Sequence, residues 1–239
     1  MSAVYELKLR LGSDHVDCFR RLRTSALFGI LQSASIRHTE ELGAGREKTL
    51  DKGLLWVVTH QYVTVGRMPE YDEQIVVRTW PGETMHLIFP RYYELVSANG
   101  ETLARGSALW SLMDRATRTV AFPDEHGVMI PGTVTGREVP YLTKLETIEA
   151  PNHSTFSVPY SYVDLNGHMN NTRYFDLAED VTAAPEHGRI LREARVEYSA
   201  EAKLADTVEV SWGEKDGMYY VNGSCGHPCF RMDLFYSAT

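Results

Sequence analysis

Three side chains suited to carbonyl chemistry occupy alternate positions in residues 164–168. Asp164 supplies a carboxylate, Asn166 an amide and His168 an imidazole, and in an extended segment all three would project to one side. Carbonyl chemistry needs a base or nucleophile, a hydrogen-bond donor for the developing oxyanion, and a partner that orients them. The segment therefore predicts an active-site loop.

The neighbouring residues favour the same interpretation. Gly167 would let another backbone come close, and the Asn170-Asn171 pair would cap a following helix, whose free amide groups would lie beside the three side chains. Asp and Asn before Gly are also typical of an ordinary turn, because their side chains bond their own backbone. Taken alone, the loop leaves both a turn and an active site open.

Composition and charge limit the classes of function. The 239 residues suffice for one large domain or two small ones, and 43% hydrophobic residues is ordinary for a globular core. A net charge of −8 argues against a nucleic-acid partner, which usually favours a basic domain. Arg20, Arg21 and Arg23 form a candidate contact for an acidic protein partner, although surface arginines are usually only solvated.

The apolar runs are far shorter than the roughly 20 residues that span a bilayer. Residues 1–10 alternate apolar and charged side chains and so lack the apolar core of a secretory signal. We therefore expect an unprocessed cytoplasmic protein that does not associate with membranes.

The cysteine pattern does not predict a disulfide framework, because the chain has three cysteines. The segment Cys225-Gly-His-Pro-Cys229 could present three metal ligands on one strand face, but zinc requires four. Gly226, His227 and Pro228 are typical of a hairpin turn. We expect a hairpin with two reduced thiols, and neither a metal nor a cofactor.

Hydrophobic periodicity predicts the same order of elements twice. The first half has a strand at 4–9, a helix at 24–42 with the apolar stripe Leu27, Leu31, Ala34 and Ile36, and strands at 54–65, 74–80, 87–96, 102–113 and 119–122. The second half has a helix at 171–183 that buries Tyr174, Leu177, Ala178 and Val181, and strands at 194–202, 207–212, 218–224 and 230–236. Asn99-Gly100 predicts a hairpin between the strands at 87–96 and 102–113.

This repetition predicts a duplicated α+β unit, with two antiparallel sheets joined edge to edge behind two helices. We expect one domain over residues 1–125, a linker over 126–152 rich in Pro and Gly, and a second domain over 153–239.

The motif of residues 164–174, Asp-x-Asn-x-His-x-Asn-Asn followed by an aromatic, resembles the active-site segment of the acyl-acyl carrier protein (acyl-ACP) thioesterases in their compact bacterial form. Residues 32–38 resemble the central helix of that family's first half, and residues 107–118 resemble the strand that closes it. Residues 198–201 resemble the segment that carries a second-half glutamate, here Glu201. These matches occur in the family's order and span most of the chain.

The resemblance implies a tandem (double) hotdog fold, with each antiparallel sheet wrapped around a long central helix. It also implies hydrolysis of a fatty acyl thioester carried by the phosphopantetheine of acyl carrier protein, ending chain elongation. Asp164, Asn166, His168 and Glu201 would act together without a cofactor or metal. The family places its acyl pocket in the first half, where Trp80, Trp110, Met68, Met113 and Phe89 are candidates, although apolar strand residues are core by default.

Separate roles follow from the chemistry of each group. His168 is the natural general base, Asn166 would donate to the thioester oxygen or align His168, and Glu201 would hold His168 or a water. Asp164 would set the geometry or attack the carbonyl, and the sequence does not choose between that covalent route and direct water attack. Ala202 stands where plant members have a cysteine, so a cysteine nucleophile is unsupported there.

Three alternatives remain. An acyl-CoA thioesterase would use the same loop on a different carrier, and a non-catalytic acyl-binding protein would use the same fold without the polar loop residues. A hotdog dehydratase fits less well, because its usual histidine segment is not recognisable. The internal duplication is compatible with a monomer or a homodimer.

Overall fold

A computed structural model describes residues 3–135, 145 and 150–238. In the first half the elements are β1 (Tyr5–Arg10), α1 (Thr24–Glu41), β2 (Leu54–Val65), β3 (Gln74–Pro81), β4 (Phe89–Ser97) and β5 (Thr102–Asp114). In the second half they are β6 (Asn152–Ser157), α2 (Arg173–Thr182), β7 (Ile190–Tyr198), β8 (Thr207–Lys215), β9 (Met218–Ser224) and β10 (Pro228–Ser237).

The ten strands form one antiparallel sheet in the order β1-β3-β4-β5-β2-β7-β10-β9-β8-β6. Read outward from its centre, the order β2-β5-β4-β3-β1 of the first half is repeated as β7-β10-β9-β8-β6 in the second. The halves meet where β2 pairs with β7, from His60 opposite Glu197 to Thr64 opposite Glu193. The predicted duplication and the edge-to-edge join are confirmed.

The two helices pack together on the sheet. Leu27, Leu31 and Ala34 of α1 are buried as predicted, and Phe28 stacks on Phe175 of α2 with ring centroids 4.0 Å apart. The prediction for Ile36 is wrong, since its side chain is 52% exposed and lies beside a cavity described below. The buried face of α1 continues instead through Ser35, His38 and Thr39, and Ile36 lies off this face.

The second helix is shorter than the first and starts later than predicted. Its first helical residue is Arg173, preceded by Thr172. Instead of capping the helix directly, the Asn170 side-chain oxygen accepts the Thr172 backbone N–H at 3.0 Å, which forms a turn just ahead of the helix. The helix ends at Thr182, because the next residue, Ala183, has a positive φ of 52° that breaks the helical repeat.

Two of the strand predictions are wrong. Residues 119–122 make a single bridge from Val120 to Met113 instead of a strand. The segment predicted at 194–202 runs from Ile190 to Tyr198, because Ser199 and Ala200 both turn their N–H groups to the Cys229 carbonyl and leave the ladder.

One strand was not predicted at all: β6, at the start of the predicted second domain, pairs along β8. Val128 and Ile130, at the start of the predicted linker, are buried against the first half. Residues 136–144 and 146–149 of that linker lie outside the described residues, and the domain boundaries stay a prediction.

The hairpin between β9 and β10 forms as predicted, with Gly226 at φ +75°. The expectation of reduced thiols is wrong, because Cys225 and Cys229 form a disulfide across this turn. Cys18 is a free, exposed cysteine. Among the described residues, no helix is both long and apolar enough to cross a membrane.

The arginine cluster near the start of α1 is engaged within the chain. Arg21 pairs with Asp17 and donates to the carbonyls of Pro185 and Arg189. These contacts join the first half to the loop after α2, so the Arg21 guanidinium stabilises the fold.

Glu179 of α2 provides a test of this packing. The hydroxyls of Thr24 and Tyr236 donate to its Oε1 at 2.5 and 3.1 Å, and burial, the largest cause, raises the pKa of Glu179 to about 7. The unfolded carboxyl loses its proton near its ordinary pKa of 4.5, so stability falls as pH rises from about 4.5 to about 7 and is level above.

Glu179→Gln keeps an oxygen acceptor and removes the charge. Its free energy of unfolding relative to wild type should therefore grow by about 2–3 kcal/mol between pH 5 and pH 8. Urea unfolding at the two pH values measures this change. Glu186→Gln, at an exposed carboxylate, is the control, and a pH-independent difference for Glu179→Gln would contradict the prediction.

Candidate active site

The loop that carries the predicted catalytic residues is a closed turn. The Asp164 N–H donates to the His168 carbonyl and the Gly167 N–H to the Asp164 carbonyl, both at 3.0 Å. The Asp164 side chain accepts the Asn166 N–H at 2.8 Å. The prediction that alternate residues share one face is therefore wrong, because side-chain alternation holds in extended backbone and this backbone turns.

Gly167 serves a different purpose from the one predicted. Among the described residues, apart from its two chain neighbours, none has an atom within 4 Å of the position a Cβ would take, so no other described backbone approaches it closely. Its φ of +85° is a conformation that glycine adopts at little cost. The glycine is required by the turn itself.

The side chains of the turn point to two neighbouring sites, a cavity and the Glu201 carboxylate. Asp164 and Asn166 line a cavity together with Asn170, whose amide lies 3.5 Å from Asp164 Oδ2. His168 instead contacts Glu201, with 3.3 Å between Nε2 and Oε1. The structure thus brings the four predicted residues together as two pairs, with Asp164, Asn166 and His168 on the loop and Glu201 on the segment after β7.

Backbone contacts hold Glu201 beside the loop. His168 bridges to Lys203, and the Met169 N–H donates to the Ala202 carbonyl at 2.7 Å. The Ala202 N–H in turn donates to the Tyr174 hydroxyl at 3.3 Å. Burial raises the pKa of Tyr174 to about 12, so this phenol stays neutral at ordinary pH. Ala202 is fully buried and serves as backbone support.

Both ring nitrogens of His168 face acceptors. Nε2 faces Glu201, while Nδ1 lies 3.4 Å from the Met169 carbonyl, a longer contact. The shorter contact assigns the proton of the neutral ring to Nε2, from the positions of its partners. A carboxylate that accepts a hydrogen bond from this N–H orients the imidazole.

A residue not predicted from the sequence completes this group. Arg118, in the turn after β5, places Nη1 2.9 Å from Glu201 Oε1. Residues 107–118 resemble a family strand, but nothing in their spacing pairs Arg118 with a residue in the other half.

The cavity beside Asp164 and Asn166 has a volume of about 230 Å³ and lies between α1 and the sheet of the first half. Its wall is mainly aromatic and aliphatic, and includes Leu54, Leu55, Trp56, Phe89, Trp110 and Ile130. Of the candidates for an acyl pocket, Phe89 and Trp110 line this cavity. Trp80 and Met68 are buried elsewhere in the core.

A buried arginine, also missed from the sequence, forms part of the cavity wall. Arg91 is 4% exposed and lies 2.8 Å from His38 Nδ1, and it donates to Thr39 Oγ1 at 2.9 Å. Burial lowers the pKa of Arg91 to about 10, which leaves the guanidinium charged at neutral pH. The wall is therefore mainly apolar, with the Arg91 guanidinium held in it and the charged side chains of Glu40, Arg46 and Asp164 also lining the cavity.

Family models match both halves of the chain. The model of the acyl-ACP thioesterase N-terminal domain matches residues 2–126, and that of the acyl-ACP thioesterase C-terminal domain matches residues 145–224.

Curated plant proteins are similar in sequence. A chloroplastic palmitoyl-acyl carrier protein thioesterase of Arabidopsis thaliana is 26% identical over 221 residues, which cover 83% of this chain and 52% of the relative. A chloroplastic dodecanoyl-[acyl-carrier-protein] hydrolase of Umbellularia californica is 28% identical over 233 residues, covering 89% and 61%. The chain thus spans about half the length of the curated relatives it matches.

Solved structures show the same fold. An acyl-ACP thioesterase from Bacteroides thetaiotaomicron superposes with a TM-score of 0.85 at 21% identity, over 99% of this chain and 100% of the other. The 12:0-ACP thioesterase of Umbellularia californica gives the same score and identity over 100% and 99%. The double hotdog fold predicted from the sequence is confirmed.

The turn at Gly167 can be tested by substitution. Gly167→Ala should lower the free energy of unfolding by about 1 kcal/mol, because the positive φ strains a residue with a Cβ. Gly167→Asn should lose less, since Asn tolerates this conformation better. Urea denaturation measures both.

Gly29→Ala is the matched control. Gly29 lies within α1, and a Cβ there would meet only Thr172 at an ordinary 3.9 Å. This variant should be neutral or more stable by about 0.5–1 kcal/mol. Equal effects of alanine at the two glycines would show that φ does not decide the outcome.

Proposed function

The chain belongs to the acyl-ACP thioesterase family, and from this we propose that it hydrolyses the thioester of fatty acyl-acyl carrier protein and releases the free fatty acid. The observation that carries the proposal is the contact of His168 with Glu201. Asp164 and Asn166, on the same loop as His168, line a mainly apolar cavity. An acyl chain would occupy the cavity, and its thioester would lie near Asp164 and Asn166.

Water is the nucleophile in the mechanism we favour. Its oxygen bonds to the thioester carbon, and its proton passes to Nδ1 of His168, the ring nitrogen that the Glu201 contact leaves unprotonated. The Asn166 amide donates to the developing oxyanion. The C–S bond then breaks, and the proton passes to the leaving thiolate, which departs as the carrier's thiol.

Asp164 acts in this mechanism by holding the turn. Its Oδ1 already accepts the Asn166 N–H, so the carboxylate is committed to the loop geometry. The competing route has Asp164 attack the carbonyl and form an anhydride. Multiple turnovers in ¹⁸O-labelled water distinguish the two, because hydrolysis of the anhydride at the Asp164 carbonyl would label that side chain. Label in Asp164 by mass spectrometry would overturn direct water attack.

We propose acyl carrier protein as the carrier, with the acyl chain on its phosphopantetheine. Support comes from both family models and from relatives named as acyl-ACP hydrolases. Turnover of matched acyl chains on acyl carrier protein and on coenzyme A tests this choice. Higher kcat/KM on the coenzyme A thioester would make the protein an acyl-CoA thioesterase, and no release from either would leave an acyl-binding protein.

The cellular setting is part of the same proposal. Residues Tyr5–Arg10 form an edge strand paired with β3, so the segment with alternating charges belongs to the fold. A cytoplasmic location and a role in fatty acid synthesis stay predictions. The plant relatives are chloroplastic by name.

His168→Ala and Asp164→Ala should each lower kcat on the best acyl-ACP substrate by about 100-fold or more, through loss of proton transfer in the first case and of loop geometry or attack in the second. Thiol release in a stopped assay measures this. His153→Ala, at an exposed histidine of β6, is the matched control and should be fully active. A folded His168→Ala variant with undiminished thioester cleavage would contradict the proposed mechanism.

Phe89→Leu should shift the released fatty acids toward longer chains. The smaller side chain enlarges the cavity at its aromatic wall, where Phe89 packs edge-on against Trp56 at 4.8 Å. The cost in stability should be about 1 kcal/mol. Product analysis across an acyl-ACP series measures the shift.

The control for this variant is Phe156→Leu, the same change on β6, which does not line the cavity. Its product distribution should match that of the wild type. An unchanged distribution for Phe89→Leu would show that chain length is set elsewhere.

A further inference from the structure

We propose that Arg118, contributed by the first half of the chain, is a positioning residue that holds the Glu201 carboxylate against His168. The effect of Arg118 on the reaction rate rests on the hydrolysis proposed above. The contact itself is a feature of the described structure and can be tested separately.

One carboxylate oxygen of Glu201 contacts both Arg118 and His168. Glu201 Oε1 lies 2.9 Å from Arg118 Nη1 and 3.3 Å from His168 Nε2. Exposure of the three side chains increases from 12% for His168 to 23% for Glu201 and 37% for Arg118. The imidazole is thus the innermost group and the guanidinium the outermost, with the carboxylate between them.

Sheet topology explains why residues 83 positions apart meet. β5 and β7 are both antiparallel to β2 and lie on either side of it. They therefore run in the same direction, and both chains leave the sheet at the same end. Arg118 follows the end of β5 at Asp114, and Glu201 follows the end of β7 at Tyr198.

Hydrogen bonds from Asp114 hold the turn that presents Arg118. Asp114 Oδ1 accepts the N–H groups of Ala116 and Thr117 at 2.9 and 2.7 Å, and the Asp114 carbonyl accepts the Arg118 N–H at 3.0 Å. Arg118 itself has a φ of +58°, which is uncommon for a residue with a side chain. The surrounding hydrogen bonds hold this conformation, which aims the side chain across the junction between the halves.

The charges explain what the contact does. Glu201 also borders a solvent-open cleft with Lys203, Asp206 and His227, so its carboxylate has other directions available. A guanidinium on Oε1 restricts the carboxylate to the orientation in which it accepts the Nε2 proton of His168. Loss of Arg118 should therefore disturb the orientation of the imidazole and lower kcat, with little effect on substrate binding.

The kinetic test compares wild type, Arg118→Ala, Arg118→Lys and Arg115→Ala. Arg115 is an exposed arginine in the same turn, so its removal changes the charge by the same amount. Each enzyme is assayed on acyl-ACP and on the acyl thioester of N-acetylcysteamine, which lacks the carrier and its phosphate. Arg118→Ala should lower kcat about 10- to 100-fold on both substrates, with KM changed less than about threefold.

The two controls sharpen this result. Arg118→Lys should recover part of the loss, because a lysine supplies the charge without the planar fork. Arg115→Ala should match the wild type.

A double variant gives a further test. Arg118→Ala combined with Glu201→Gln should be no slower than Glu201→Gln alone, since both act on one contact. Unchanged kcat in Arg118→Ala, or a loss confined to KM on acyl-ACP, would overturn the proposal and in the second case assign Arg118 to the carrier or its phosphate.

A readout without turnover separates this inference from the proposed function. The ¹⁵N resonances of the His168 imidazole report its hydrogen bond to Glu201. They should move in Arg118→Ala in the same direction as in Glu201→Gln, and remain in place in Arg115→Ala. If the wild type releases no thiol, the proposed hydrolysis fails while these resonances still decide the contact. Unmoved resonances in Arg118→Ala would overturn it.

Discussion

The pairing of β2 with β7 is the interaction on which the rest of the structure depends. Five residue pairs join two similar sheets, each of which would otherwise end in a row of unpaired N–H and C=O groups. The same join makes β5 and β7, the strands that precede Arg118 and Glu201, leave the sheet at the same end. A contact made by the backbone thus determines which charged side chains meet in the candidate active site.

Much of the fold could be predicted from the sequence, because the central strands alternate apolar and polar residues and the helices carry apolar stripes. The strand β6 escaped prediction for a physical reason. Its sequence, Asn152-His-Ser-Thr-Phe-Ser157, contains one apolar side chain and is mostly exposed, so it resembles a polar linker. Ile36 was misplaced because it stands two residues after Ala34, outside the spacing of three or four that keeps residues on one face of a helix.

The candidate site was predictable as a set of residues and less so as a geometry. The motif identified Asp164, Asn166 and His168, but local hydrogen bonds bend the backbone into a turn that separates their directions. Long-range pairs left no local signal. The Arg118–Glu201 contact joins residues 83 positions apart, and that of Arg91 with His38 spans 53, so only the folded topology brings them together.

The order of the sheet also determines where it stops. Its outermost strands are β1 and β6. Along β1 the exposed positions are Glu6, Lys8 and Arg10, and β6 presents almost entirely polar side chains to solvent. Such edges resist addition of further strands from other molecules. In the described part of the chain, the two joined halves thus end at edges that disfavour the strand pairing by which β2 and β7 join them.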